Sequence, residues 1–514
     1  MHAKIFSATT IGIDAHLIEV EVDISFGLVN FFIVGLPDTA VKESSKRILT
    51  SLKNSGFQLP SKKITVNLAP ADLKKEGTLF DLPIAVGILT AAEFLALKFD
   101  FLHETLFLGE LSLDGGIRFI KGALAIAYDA AKLQKKRIIV PKANAHEAAL
   151  ISGLEVIGVD HITELIAYLR GELSIAPTVH ARDLKLTTID DQTLDFDQVK
   201  GQSFAKRALQ ISAAGRHNIL FVGPPGAGKT MLAKRLPSIM PSMSFNEVLE
   251  TSKIYSISGK LGNQPLILQR PFRGPHHTIS QAGLVGGGSY PQPGEISLAH
   301  HGILFLDELT EFKRPTLEVL RQPLENKEVH ISRALHSITF PASFLLVAAL
   351  NPCPCGFLGD KKRRCTCSSM NVARYLQKLS GPLLDRIDLQ INVQSIEYDT
   401  IKSKIINSQS SHDLFTGVQN ALNAQRTRFG SNNQWNAYMN SDCVDAYCAL
   451  TPDAEQIMKK TFEALHLSMR GYHKILRVAR TIADIEKQTI IDVPHIQEAI
   501  MYRSLDQSLE KHRQ

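Results

Sequence analysis

The sequence predicts an α/β protein with a parallel-sheet core in its middle and helices at its end, and three observations carry that expectation. Short apolar runs, HNILFVG at 217–223, GILFLDE at 302–308 and SFLLVAALNP at 343–352, are separated by helix-patterned or glycine-rich segments, the order a parallel sheet requires. The first run flows directly into GPPGAGKT at 223–230, a glycine-rich turn that opens a helix. Beyond about residue 395 the apolar strands give out, and AEQIMKKTFEAL, HKILRVARTIADIE and VPHIQEAIMYRS read as amphipathic helices.

Four segments follow from these changes of pattern. Residues 1–173 are expected to form an α/β domain of their own: HLIEVEVDI and KKITVNLA alternate as strands do, and ALAIAYDAAKLQ followed by KRIIVP reads as helix then strand. Residues 174–195 have little periodicity and no glycine and are read as a linker. Residues 196–395 carry the phosphate-loop core and residues 396–514 a helical domain. The polar stretch 408–438 gives no clear period and is read as a mobile join.

Bulk composition narrows the class. A hydrophobic share of 44% over 514 residues is ordinary for a globular chain of several domains. No apolar run approaches the roughly 20 residues that span a bilayer, and MHAKIFSATT lacks the order of a secretory signal, so no membrane partner is expected and the cytoplasm is the default location. The formal charge of +6 permits a polyanion partner without requiring one. Six cysteines are too few for a disulfide scaffold.

The chemistry concentrates in the middle segment. Gly223, Pro224, Pro225, Gly226, Ala227, Gly228, Lys229 and Thr230 match G-x-x-x-x-G-K-[ST] in full. In that pattern the glycines let the backbone wrap phosphate oxygens, the lysine reaches the β and γ phosphates of ATP, and Thr230 is the expected Mg²⁺ ligand. GILFLDE then delivers two carboxylates to the edge of the sheet: Asp307 is expected to hold the magnesium through water and Glu308 to polarise the attacking water. Asn351, at the end of the third apolar run, is placed to present its amide to that water or to the γ phosphate, with a turn role before Pro352 as the competing reading. Arg386, in GPLLDRIDL, is too distant in the chain to belong obviously to the same pocket, which suits a finger reaching a neighbouring subunit; its rival is a salt bridge to Asp385 or Asp388. Arg470 is expected to sense γ phosphate in its own chain, with Arg477, on another helix face, as the fallback.

Three further features stand outside that pocket. Cys353, Cys355, Cys365 and Cys367 make C-x-C, nine residues, C-x-C, and offer four thiolates to one structural Zn²⁺; free structural thiols and a redox role are the alternatives. Between the pairs runs KKRR at 361–364. VHIS and SITF flank Arg333 to His336 as a hairpin whose tip suits a contact with a nucleic-acid backbone. The glycine-rich stretch carrying Arg270, Arg273, His276 and His277 suits a moving loop that meets a ligand or polymer.

Together these strings resemble a known family along nearly the whole chain. GLVNFFIVGLPDTAVKESSKR, NLAPADLKKEGTLFDLPIA, GPPGAGKT, RPFRGPHHTIS, PGEISLAHHGILFLDEL, NPCPCG, LSGPLLDRIDL and RGYHKILRVARTIADIE identify it as similar to the magnesium-chelatase-like AAA+ ATPases, specifically the ComM/YifB group. The resemblance implies an N-terminal domain like that of Lon protease, an AAA+ core with a pre-sensor hairpin, and a helical lid. It also implies a hexameric ring that hydrolyses ATP to migrate or unwind branched or single-stranded DNA during natural transformation. A magnesium-chelatase subunit or a protein-remodelling ATPase is the alternative. By the same resemblance Asn351 is the first sensor, Arg386 the finger and Arg470 the second sensor. The stretch from Lys75 to Asp81, which matches the Lon catalytic turn, has no serine, so protease activity is not expected.

Overall fold

A computed structural model describes residues 2–503, apart from 76, 180–193, 263, 265, 289–290, 334–335, 361, 396–408 and 432–433 and the side chains of Arg333 and His336. Most of the expected linker, Lys361 of the basic run and the tip of the expected hairpin lie outside the described residues. The described chain divides into two compact units, one within 1–185 and 248–267, the other within 186–247 and 268–514.

In the first unit the period-two alternation becomes strands Asp14–Ser25 and Lys63–Ala69, which turn Ile18, Val20, Val22, Ile64, Val66 and Leu68 into the core. They sit in a seven-stranded mixed sheet, in the spatial order Phe31–Val34, Lys63–Ala69, Asp14–Ser25, His2–Ile11, Thr105–Phe107, Arg137–Pro141 and Glu155–Val159. Helix Asp81–Ala91 is apolar almost all round after its first residue, and it is buried almost throughout.

The second unit is organised by a five-stranded sheet that is parallel throughout. In chain order its strands are Ile219–Val222, Phe272–Arg273, Ile303–Leu306, Leu345–Leu350 and Leu389–Asn392; in space they run second, third, fourth, first, fifth. The first, third and fourth strands are buried at every residue, which is why they read as continuous apolar runs rather than alternating ones. With the first strand between the fourth and fifth, the loops leaving the carboxyl ends of strands one, three and four meet at one edge, where open α/β sheets bind ligands. Strands Glu328–Arg333 and His336–Pro341 pair antiparallel as a separate hairpin.

Three expectations are corrected. The segment 248–267, read as part of the core domain, clusters with the first unit: the Ser256 carbonyl accepts from Gly122 N–H at 3.2 Å and its hydroxyl donates to Glu147. The C-terminal helices are not a separate unit, because Leu414, Val418, Ala479 and Ile482 share one hydrophobic core with Phe221, Val347 and Leu389. Within the stretch read as a join, Ser411–Phe429 is a 19-residue helix. Its start is fixed by a capping box in which Ser410 and Asp413 exchange side-chain and backbone hydrogen bonds. Leu414, Val418, Ala421 and Leu422 form its buried stripe.

Candidate nucleotide-binding site

The phosphate loop leaves strand Ile219–Val222 and closes on the helix beginning at Lys229. Gly223 has no room for a side chain, since a Cβ there would lie 2.1 Å from the Val393 carbonyl oxygen. Gly228 enters the helix at φ 89°, the left-handed region that glycine occupies without strain. Lys229 is buried and crosses the loop: its Nζ donates to Gly223 O at 2.6 Å, Pro224 O at 3.0 Å and Asn351 Oδ1 at 3.0 Å. Burial lowers its pKa, and the carboxylates of Asp307 and Glu308 oppose that shift. The Thr230 hydroxyl donates to Asp307 Oδ2 at 2.6 Å. The sequence-predicted residues Lys229, Thr230, Asp307 and Asn351 therefore form two hydrogen-bonded pairs, Lys229–Asn351 and Thr230–Asp307, side by side and drawn from three adjacent strands.

Glu308 stands at the end of strand Ile303–Leu306 with φ 50° and ψ 48°, a left-handed conformation that costs a non-glycine residue about 1–3 kcal/mol. Its backbone N–H donates to Asp307 Oδ1 at 2.9 Å. His277 Nδ1 lies 3.5 Å from Glu308 Oε2, so the loop read as a moving contact reaches the acidic motif directly. Its other cations are structural: Arg270 is buried and paired with Glu247 at 3.1 Å, and Arg273 pairs with Glu295 at 2.6 Å.

Arg386 and Arg470 lie elsewhere in the same unit. Both line a cavity of about 450 Å³ with Lys474, Arg477, Arg216 and Glu325, and no phosphate-loop residue lines it. The partner of Arg386 is Glu325, not Asp385 or Asp388, and Arg470 is 4.0 Å from the same Glu325 oxygen. Arg470, expected to serve its own chain's nucleotide, is thus grouped with the finger rather than with Lys229. Arg477, expected on another helix face, lines the same cavity, because seven residues are nearly two full turns of helix Met469–Ile485. Asp388 is taken by Lys474 at 3.7 Å and His217 at 3.6 Å.

The four cysteines converge, with all four sulfurs within 4.8 Å of one another. Cys353 Sγ lies 3.4 Å from Cys355 Sγ and 3.7 Å from Cys365 Sγ, and the last two are 3.6 Å apart. Burial pushes the Cys353 thiol up to about 12, whereas backbone amides of Phe357 and Thr366 bring Cys355 down to about 6.

Comparison with known proteins places this geometry. Family models match the chain three times: "Magnesium chelatase, subunit ChlI" over residues 195–401, "Subunit ChlI of Mg-chelatase" over 20–144, and the "Magnesium chelatase, subunit ChlI C-terminal" model over 408–503. The chain is 43% identical to the competence protein ComM of Haemophilus influenzae over 512 residues, covering 99% of both proteins. It is also 43% identical over 508 residues to the uncharacterized protein YifB of Escherichia coli, covering 98% of this chain and 97% of that one. The chain belongs to the ComM/YifB group of magnesium-chelatase-like AAA+ ATPases. A 149-residue stretch, 28% of the chain, is 26% identical to Lon protease 2 of Bacillus subtilis.

ATP and Mg²⁺ are the cofactors that come with a ComM/YifB-type ATPase, and the residues fit them. A buried ammonium lies beneath the glycine turn, and a hydroxyl and a carboxylate already touch where a divalent ion takes oxygen ligands. Two contacts of these groups escaped the sequence. Glu325 carries no motif, and only the packing of helix Arg321–Asn326 brings it to both arginines. His277 stood out as a loop residue, but its contact with Glu308 needs the second and third strands side by side. Among the described residues no helix is long and apolar enough to cross a membrane.

Proposed function

We propose that the protein is an ATP-driven motor working as a hexameric ring, which migrates or unwinds branched DNA in the recombination step of natural transformation. The observation that carries the ring is the division of labour within the second unit. Lys229 is bonded to Asn351 and Thr230 to Asp307, while Arg386 and Arg470 share a cavity that no phosphate-loop residue lines. Because Arg386 and Arg470 line a cavity apart from the phosphate loop, they act on the adjoining subunit's γ phosphate. In each site Lys229 binds the β and γ phosphates, Thr230 and Asp307 hold the magnesium, Glu308 orients the attacking water, and Asn351 positions Lys229. The magnesium neutralises charge on the phosphates when bound.

DNA as the load, single-stranded or branched, is supported by full-length similarity to a competence protein and by the separate hairpin Glu328–Pro341. We also read the four cysteines as a structural zinc site, since tetrahedral S₄ sets suit that ion.

Mixing Lys229→Ala and Arg386→Ala chains tests the ring: each is inactive alone, and complementary half-sites restore part of the ATPase. No recovery at any ratio would remove the shared site. ATPase rates with and without forked or four-way junction DNA test the load. Stimulation supports the motor; an unchanged rate with no strand movement at low salt returns the protein to the chelatase-like or protein-remodelling reading that the family models' names suggest.

A further inference from the structure

The four cysteines are pressed against the nucleotide pocket. Asn351, whose Oδ1 accepts from Lys229 Nζ at 3.0 Å, stands two positions before Cys353. Gly356, within the cysteine loop, lies at φ 85° and sits so close to the phosphate loop that a Cβ there would be 2.6 Å from Pro225 Cδ and 3.9 Å from Asn351 Cγ. Its own N–H donates to the Cys353 carbonyl at 2.9 Å. The cysteine loop therefore touches the phosphate loop at Pro225 and, through Asn351, its lysine.

The sulfurs form much of what packs that loop. Among the described residues of 352–367 there is no helix or strand, and the local core consists of Cys353, Val372, Tyr375 and Leu376 with the other cysteines and Leu358 around it. The sulfurs are already spaced for an ion: four thiolates about 2.3 Å from one zinc stand about 3.8 Å apart, against the 3.4–3.7 Å observed between three of them. Backbone amides of Leu358 and Gly356 face the Cys353 sulfur, and those of Phe357 and Thr366 face that of Cys355. Amides in such positions orient metal-bound thiolates, and one of them belongs to Gly356, the residue that meets Pro225.

We infer that the ion held by these four cysteines braces the phosphate loop, so that zinc binding and nucleotide binding strengthen each other. The inference rests on the zinc reading given above. With the ion bound, Gly356 and Asn351 are fixed before nucleotide arrives; without it, nucleotide must order the cysteine loop as it binds. Coupling of this kind is reciprocal: whatever factor zinc adds to nucleotide affinity, nucleotide adds to zinc affinity.

The full chain, purified without chelator, supplies the test. Elemental analysis is expected to find one zinc per chain, and cobalt in its place to show the absorption of a tetrahedral thiolate site. Binding of a slowly hydrolysed ATP analogue is then measured before metal removal, after it, and after zinc is returned. Removal is expected to weaken the analogue about tenfold and zinc to restore it, within the usual range of coupling between sites. Competition with a chromophoric chelator should show zinc held more tightly by the same factor when the analogue is saturating. Gly356→Ala keeps all four ligands, and it is expected to keep its zinc while losing most of the coupling. Absence of zinc and of the cobalt spectrum would overturn the metal site itself. One zinc per chain with analogue affinity unchanged on its removal would overturn the brace and leave the metal site standing. Full coupling in Gly356→Ala would overturn the route through Pro225.

Discussion

The nucleotide pocket and the arginine cavity belong to one unit and both hold cations, yet those cations are in opposite states. Lys229 has its three donors on oxygens of its own chain, two loop carbonyls and the Asn351 amide. In the cavity Arg386 leans on Glu325 and the Pro382 carbonyl, but its buried Nε and those of Arg216 and Arg477 meet no acceptor among the described residues. The difference teaches which half of the chemistry is self-contained. The pocket is organised by its own chain before nucleotide binds, whereas Arg386 and Arg470 in the cavity share a single carboxylate, Glu325.

That contrast breaks most readily at Arg386. Arg386→Ala is expected to lower kcat by about 10³-fold or more while leaving the Kd for Mg·ATP unchanged, as removal of a finger acting on another subunit's phosphate does. Rate measurements beside equilibrium nucleotide titration check it; a parallel loss of binding would put Arg386 in its own chain's pocket. Glu308→Gln, inside the pocket, is expected to reduce turnover by about 10²–10⁴-fold with ATP binding retained. Arg470→Ala should follow Arg386→Ala in kind but lose less, about 10²-fold in kcat, since Arg470 is the more exposed of the two and stands 4.0 Å from Glu325. Trans rescue of Arg470→Ala by a Lys229→Ala chain separates the shared site from the in-chain sensor that its position in the sequence suggested.

How much of this was legible depended on whether a residue's partners lie within a local pattern. Lys229, Thr230, Asp307 and Asn351 were readable because each ends or follows a buried strand, and parallel strands bring their carboxyl ends to one edge. The hairpin Glu328–Pro341 announced itself by alternation. Helix Ser411–Phe429 did not, since Phe415, Thr416, Gly417, Gln419 and Asn420 interrupt Leu414, Val418, Ala421 and Leu422, although the right spacing was there. Arg470, Lys474 and Arg477 also carried a readable signal, for positions four and seven apart share a helix face. Glu325 had none, and the assignment of 248–267 to the first unit had none, because both depend on packing between segments remote in sequence.

The smallest expected effect sharpens the comparison from beneath the cavity, where Asp388 forms part of the wall. Burial alone would raise its pKa, but Lys474, His217 and Arg477 together hold it well below the usual carboxylate range. Between that value and about 4 the unfolded chain binds the extra proton, so the stability Asp388 contributes is present above about pH 4 and is lost as pH falls further. Asp81, buried in the first unit against Arg47 at 3.0 Å, behaves in the opposite way: burial raises it to about 6. There the folded chain holds the proton, and stability falls as pH rises from about 4 to about 6. Thermal melts across this range should show Asp81→Asn flattening the upper slope and Asp388→Asn the lower. Asp388→Asn should also cost about 2 kcal/mol at neutral pH by weakening its hold on Lys474. Because the wall belongs to the arginine cavity alone, Asp388→Asn should leave the Kd for Mg·ATP of the folded chain unchanged. A weakened Kd there would mean that the two regions are one site.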